Sequence, residues 1–251
     1  MQKPHLLLIH GFPHDHSLWA HQVDALADVA EVMAPDLRGL GKNTQRILDE
    51  IRIDDYATDL KHELDEKRID RVVLAGLSMG GYVAFSFLQL FPERVQALVL
   101  CNTRANDDDL EGRQKRYEVA QKVMSGGLPV IARELLPKML SDRTKRERPE
   151  EVKALEQMML RQKPEGVAAA SRAMAARQDR REFLKKIEVP TLIITGDQDP
   201  IMPLPTSEEM HRSIAGSEMK VLKDAAHLSN IDRPDEFNAV LRDFLRKLPA
   251  R

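Results

Sequence analysis

Short apolar runs alternate with longer amphipathic stretches along this chain. His5–His10 (HLLLIH), Val72–Leu77 (VVLAGL), Val95–Cys101 (VQALVLC) and Thr191–Thr195 (TLIIT) are near-continuously apolar, and Glu31–Ala34 and Met219–Leu222 are weaker runs of the same kind. Runs this short, without strict alternation, read as strands buried on both faces, the habit of a parallel sheet covered by helices. Between them the period changes. Asp54–Glu66 begins at an Asp cap and keeps Tyr56, Leu60 and Leu64 on one face. Pro234–Leu245 has Pro in its first turn and repeats apolar residues at Phe237, Val240, Leu241, Phe244 and Leu245. Strand and helix in this order predict an α/β, doubly wound fold with a mostly parallel sheet of about six strands.

One region breaks the alternation. From Arg104 to Lys186 no strand-like run occurs, and the segment is rich in Arg, Lys, Glu, Ala and Met, with breaks at Gly126–Gly127, Pro129, Pro137, Pro149 and Pro164. It predicts several short helices inserted between two strands, placed as a cap over the strand carboxyl ends. The expected division is a core of residues 1–103 and 187–251 with a helical cap at 104–186. A chain of 251 residues is long enough for such a core with an insertion. A net charge of −2 and few aromatics leave no footprint for nucleic acid. The single cysteine, Cys101, excludes an internal disulfide framework and reads as an inert core thiol. Met1–Pro4 lacks the build of a signal peptide, and no apolar run approaches the ~20 residues needed to span a bilayer. The expectation is a cytoplasmic protein with neither nucleic-acid nor membrane partners.

The candidate chemistry sits at strand ends. Gly76-Leu77-Ser78-Met79-Gly80 follows an apolar strand and opens a helical pattern, Tyr82–Leu90, that stops at Pro92. A G-x-S-x-G run in that context is a sharp strand-to-helix turn that lifts the serine hydroxyl above the sheet. Serine is a weak nucleophile until a base takes its proton, so a histidine and an orienting carboxylate must follow. Thr191–Thr195 runs into Gly196-Asp197-Gln198-Asp199-Pro200, where Asp197 is suited to shaping the turn and Asp199 to reaching a histidine. Asp107 is a rival acid, just past the strand ending at Cys101. His227, in Ala225-Ala226-His227-Leu228-Ser229, follows the last strand and precedes the final helix, while His62 and His211 read as surface residues of helices. After the first strand, His10-Gly11-Phe12-Pro13 places the Phe12 amide to pair with the Met79 amide as two oxyanion donors. His10 then bonds loop backbone, and Trp19 and the Met79 side chain serve packing. His10, His14, Asp15, His16 and His21 crowd one segment, but no second ligand cluster follows downstream, so no metal site is expected.

Five motifs in order carry a resemblance: His10-Gly11-Phe12-Pro13, Asp36-Leu37-Arg38-Gly39-Leu40-Gly41, Gly76–Gly81, Gly196–Pro200 and Ala226-His227. Together they resemble the α/β-hydrolase superfamily, and within it the carboxylesterase and 3-oxoadipate enol-lactonase-like group. The resemblance implies Ser78, Asp199 and His227 as the triad and Phe12 and Met79 as oxyanion donors. Family members usually carry two further strands before the His-Gly loop, and here the chain begins almost at that loop. Glu31–Ala34 is then an edge strand, and such edges invite pairing, so a homodimer through that edge is expected. The cap contains no tryptophan and few aromatics, a second departure from the family.

The mechanism implied is a two-step, cofactor-free hydrolysis of a small carboxylic ester or lactone. In the cap, Met158, Met159 and Met174 could line a flexible apolar pocket, with cap-helix core as their other reading. Arg133, Arg161 and Arg172 could bind a carboxylate on the substrate, or be surface charge. Other chemistry on the same triad, C–C hydrolysis or peracid formation, is the alternative, with slow-turnover small-molecule binding as a third reading. A haloalkane dehalogenase is disfavoured, because that chemistry has Asp where Ser78 stands.

Overall fold

A computed structural model describes residues 3–44 and 50–249 of the chain. The apolar runs become six strands: β1 (His5–Ile9), β2 (Glu31–Met33), β3 (Val72–Leu77), β4 (Val95–Cys101), β5 (Thr191–Gly196) and β6 (Glu218–Leu222). They form one sheet in the order β2-β1-β3-β4-β5-β6, and every pairing is parallel. The reason for near-continuous apolar runs is visible in where alternate residues go. Leu7, Ile9, Leu74, Leu98, Leu100 and Ile193 enter one apolar cluster; their neighbours Leu6, Leu8, Val73, Val99, Leu192 and Ile194 enter another. Each of the four central strands, β1, β3, β4 and β5, therefore buries both faces.

Helices α1 (Ile53–Glu66) and α2 (Met79–Leu90) cover the first face through Tyr56, Leu60, Val83 and Phe87. On the opposite face lie Trp19 and the C-terminal helix, Pro234–Lys247, which contributes Phe237, Leu241 and Phe244; the Trp19 and Phe237 rings stand 6.1 Å apart. The doubly wound arrangement follows from β1 lying inside the sheet, with the chain turning back to β2 and then crossing to β3 on its other side. The start of α1 differs from the Asp cap read from the sequence. The helix begins at Ile53, because the Asp55 carboxylate accepts from the Arg52 amide (2.7 Å) and makes Arg52 the capping position. Asp54 instead accepts from the Ser86 hydroxyl on α2.

The stretch between β4 and β5 holds α3 (Leu110–Gly126), α4 (Leu128–Met139), α5 (Asp142–Glu147), α6 (Pro149–Leu160) and α7 (Pro164–Ala175), then a short turn at Arg181–Leu184. The prolines that interrupt the sequence pattern explain its segmentation: Pro129, Pro149 and Pro164 each occupy a first helical turn, where their missing N–H costs nothing. One carboxylate braces the insertion internally and two tie it to the core. Asp108 is shared by Arg104, Arg116 and Arg177; burial alone would raise its carboxyl pKa, and these guanidiniums bring it down to about 2. Asp15 accepts from Arg161 at the end of α6, and Asp232 accepts from the Ser141 amide (3.1 Å). The Pro234–Lys247 helix is α10, after α8 (Leu204–Ser213) and the short α9 (Ser229–Asp232). β2, the expected pairing edge, is three residues long and opens with exposed Glu31, and shortness and charge are both devices that discourage edge pairing.

The turn between β3 and α2 packs backbone directly against backbone. A Cβ on Gly80 would stand 2.1 Å from the Ile9 carbonyl oxygen, and one on Gly76 would stand 2.3 Å from that of Gly80. Both obstacles are backbone, so no side chain can swing away. Gly80→Ala should therefore destabilise the protein by about 3 kcal/mol or more. For a chain of this size that lowers Tm by about 6–12 °C, measurable by calorimetry; an unchanged Tm would mean that the two segments are further apart.

Candidate active site

The parallel register brings the carboxyl ends of four strands to one level. Ile9 pairs with Gly76, Leu77 with Cys101, and Cys101 with Ile194, so the residues that follow each strand emerge together on one edge of the sheet. That edge is where ligands bind in open α/β folds. Ser78 sits there at φ 54°, ψ −115°, a left-handed conformation unusual for a residue with a Cβ. Its amide donates to the Cys101 carbonyl (2.9 Å), and its own carbonyl accepts from the Gly81 amide (2.9 Å) and the Thr103 hydroxyl (2.7 Å). The strained turn is thus held by bonds from two neighbouring elements. It aims the side chain away from the sheet, leaving Ser78 partly exposed while the residues on either side are buried.

The Ser78 hydroxyl lies 2.9 Å from His227 Nε2, and His227 Nδ1 lies 2.9 Å from Asp199 Oδ2. Asp199 is ionised and can only accept, so Nδ1 carries the proton and Nε2 accepts from the serine. His227 and Asp199 are both buried, which screens the pair from water. Each oxygen of Asp199 is satisfied. Oδ1 accepts from the Ile201 and Met202 amides (2.8 and 2.9 Å), and Oδ2 accepts from His227 and from Asn102 Nδ2 (2.9 Å). Burial alone would raise the Asp199 pKa; His227 and these donors outweigh it and hold the group below the ordinary carboxylate value. The other two acids are occupied elsewhere. Asp197 accepts from the Ala225 amide (3.3 Å) in the turn, and Asp107 pairs with Arg113.

The loop after β1 lies against the serine. A Cβ on Gly11 would be 3.3 Å from Ser78 Cβ, so Phe12 follows immediately beside the nucleophile. Met79 opens α2, where the first amides have no carbonyl one turn back to accept from. His10 Nδ1 donates to the Gly11 carbonyl (2.9 Å), and His10 Nε2 accepts from the Leu37 amide (3.0 Å). That pairing needs a neutral ring, in keeping with burial lowering its pKa. The first loop is fastened from the insertion: Asp15 accepts from Arg161 Nε and Nη2 (both 2.7 Å) and from Gln162 Nε2 (2.9 Å). Asp15, His16 and Asp36 do converge. Their oxygens are already engaged, Asp15 as above and Asp36 by the His16 and Lys42 amides (2.6 and 2.8 Å) and by His16 Nδ1 (2.8 Å), so the cluster has donors where a metal would need free lone pairs.

His14, in the same loop, is buried, and neither ring nitrogen is bonded among the described residues. Burial pushes its pKa down to about 3, with His10 and His227 acting the same way. Two unmet polar atoms are a standing cost, so His14→Leu should raise stability by about 1 kcal/mol, or about 2–4 °C in Tm. The sign with pH is set by the lowered value. Between pH 6.5 and about 3 the unfolded chain binds a proton that folded His14 refuses, so stability falls as pH falls, by up to ~1.4 kcal/mol per pH unit. Denaturant titrations should show a shallower acid loss in the leucine variant; equal slopes would mean the ring has a partner.

The residues expected to line a substrate pocket lie in different surroundings. Met158, Met159 and Met174 are buried, and Met158 and Met174 fall in different apolar clusters. Arg161 is committed to Asp15, Arg133 is exposed on α4, and Arg172 is half-buried on α7. Conversely, sequence reasoning passed over Asn102. Its Nδ2 donates to Asp199 and to the Ala226 carbonyl (3.1 Å), and its Oδ1 accepts from the Ser229 hydroxyl (2.5 Å), so one amide spaces the acid from the histidine loop. Asp232 does similar work from the other side, accepting from the Ala226 amide at 2.7 Å. The available signal was position: Asn102 and Thr103 are the first residues past a central strand.

Comparison with known proteins agrees with this fold. The family described as alpha/beta hydrolase fold matches residues 4–234. The chain is similar to 3-oxoadipate enol-lactonase 2 of Acinetobacter baylyi, 29% identical over 98% of this chain and 90% of that protein. Among solved structures it is similar to a thermophilic esterase from Thermogutta terrifontis, determined with malate bound (38% identity, TM-score 0.97, 99% of this chain and 92% of that one). It is also similar to an enol-lactonase from Burkholderia xenovorans (29% identity, TM-score 0.91, 98% and 93%).

Proposed function

The chain belongs to the α/β-hydrolase family, and from that premise we propose that it is a serine hydrolase cleaving a small carboxylic ester or lactone through an acyl-enzyme. The observation that carries this reading is the unbroken hydrogen-bond chain Ser78–His227–Asp199, held at the strand ends with every oxygen of the acid satisfied. Relatives that are esterases and enol-lactonases support the substrate class.

In the first step Ser78 Oγ attacks the carbonyl carbon while His227 Nε2 takes its proton. Asp199 keeps the imidazole in the tautomer that can accept, and stabilises the imidazolium that forms. The oxyanion settles between the amides of Phe12 and Met79, each worth about 3–4 kcal/mol in a site closed to water. Collapse expels the alcohol, which receives the proton from His227; in a lactone the alcohol stays tethered to the acyl group. Water, deprotonated by the same histidine, then releases the acid and restores Ser78. Every step uses a side chain or backbone amide of the chain and one water. The helical insertion acts in this scheme as a cap, since Arg161 and Gln162 fix the very loop that carries Phe12.

A series of p-nitrophenyl esters from acetate to decanoate, run beside a small lactone, tests the substrate class. The expected result is turnover of the short acyl chains and of the lactone, with kcat/KM falling as the chain lengthens. Rapid labelling of Ser78 by a fluorophosphonate without turnover of any ester or lactone would instead point to C–C hydrolysis or peracid formation. Tight binding of a small molecule without labelling would replace catalysis with a binding role.

A further inference from the structure

We propose that the protein holds a second, non-catalytic ligand site: a pocket between the insertion and the core that binds a small doubly charged oxyanion, a phosphate or a short dicarboxylate. The pocket is a cavity of about 220 Å³ bounded by the N-terminus of α1, the flank of α2, the loop leaving β4 and the chain leaving α7. Four guanidinium side chains line it, those of Arg52, Arg104, Arg177 and Arg180, and Asp54 is the single acid among the lining residues. Asp54 pairs with Arg180 at 3.4 Å and also accepts from Ser86, so it balances one charge of the four.

The balancing acid behind the pocket, Asp108, is overdrawn. It is shared among Arg104, Arg177 and Arg116, three cations on one carboxylate, and it does not itself line the cavity. Arg52 has no ion pair among the described residues. Arg177 is buried, with its side chain only 4% exposed, and lies 4.4 Å from the centre of the Tyr82 ring, stacked in place before any ligand arrives. The Nε atoms of Arg104 and Arg177 are both buried and, among the described residues, unbonded. Buried donors on charged groups are the most costly kind to leave unmet, and guanidinium forks match carboxylate and phosphate oxygens. A dianion in the cavity supplies the negative charge that the lining lacks. Ile53 and Phe85 give the cavity an apolar wall, and its volume is below that of a pocket for drug-sized ligands, which suits a small ion.

The four arginines come from three different parts of the chain: Arg52 from the core before α1, Arg104 from the loop after β4, and Arg177 and Arg180 from the exit of the insertion. A bound anion therefore cross-links the insertion to the core. It also sits next to the loop carrying Asn102 and Thr103, whose side chains hold Asp199 and the Ser78 carbonyl.

The test is calorimetric titration in low-chloride buffer with inorganic phosphate and, separately, succinate, on the full chain. Saturable binding of one or both is expected, and the better ligand identifies whether phosphate or carboxylate is the natural class. Arg52→Gln, which breaks no ion pair, should weaken the binding about tenfold, and Arg52→Gln with Arg180→Gln should abolish it, with circular dichroism unchanged. Protein whose Ser78 has been blocked by a fluorophosphonate should bind the anion as well as untreated protein, which separates this site from the hydrolase reading. No saturable heat with either ion, equal affinity in the double variant, or loss of binding on blocking Ser78 would each overturn the proposal.

Discussion

Replacing Ser78 with Ala should lower kcat by about 10⁴–10⁶-fold while leaving the fold intact. The size follows from the role. Without the hydroxyl no acyl-enzyme forms, and what survives is the background rate at which Phe12 and Met79 amides stabilise direct attack by water. The fold should survive because the strained φ of 54° is fixed by backbone bonds from Ser78 N and O, not by its side chain. An alanine there keeps the same Cβ in the same turn. The hydroxyl's bond to His227 is lost, and exposure of Ser78 to the site keeps that cost small. Steady-state hydrolysis and Tm, measured on the same preparation, check the two halves together. Turnover near that of the parent would remove the nucleophile from the mechanism.

Asp199→Asn should cost about 10⁴-fold in kcat, through the tautomer of His227 and with no change of shape. Asp199 Oδ2 accepts from two donors, His227 Nδ1 and Asn102 Nδ2. An asparagine has one oxygen, and Oδ1 already serves the Ile201 and Met202 amides. The oxygen stays with the two amides, so the NH₂ group faces His227 and forces Nδ1 to accept. Nε2 then carries the proton and can no longer take one from Ser78. Fluorophosphonate labelling should slow in proportion to kcat, because both report the same proton transfer. Unchanged labelling would mean that His227 holds its tautomer without the acid, and Asp107 or Asp197 offers no substitute, being tied to Arg113 and Ala225.

The sheet was legible because its central strands bury both faces. Runs such as Val72–Leu77 have no polar residue to mark a solvent side, and that property specifies a parallel sheet under helices. The elbow was legible for a related reason, since only glycine fits where Gly76 and Gly80 meet other backbone. Two kinds of detail were not. Side chains that act through a long-range meeting, such as Asn102 with Asp199 and Ser229, carry no local pattern; 97 and 127 positions separate them. The insertion was read correctly as helical, but charge in it does not announce its partner. Arg161 reads like a substrate-binding cation until the fold brings Asp15 to it across 146 positions. The arginines that do crowd a cavity are others, and all four lie outside any motif: Arg52 before a helix, Arg104 after a strand, Arg177 and Arg180 after a helix.

The central claim is that Ser78 becomes covalently acylated during turnover. Its most direct test is titration of the wild-type protein with a p-nitrophenyl N-alkylcarbamate, whose acyl product leaves slowly. Release of p-nitrophenol should show a burst of one equivalent per chain. Peptide mapping by mass spectrometry should then place a single carbamoyl group on Ser78, with activity lost in step. A carbamoyl group on any other residue, or full inactivation with Ser78 unmodified, would contradict the account.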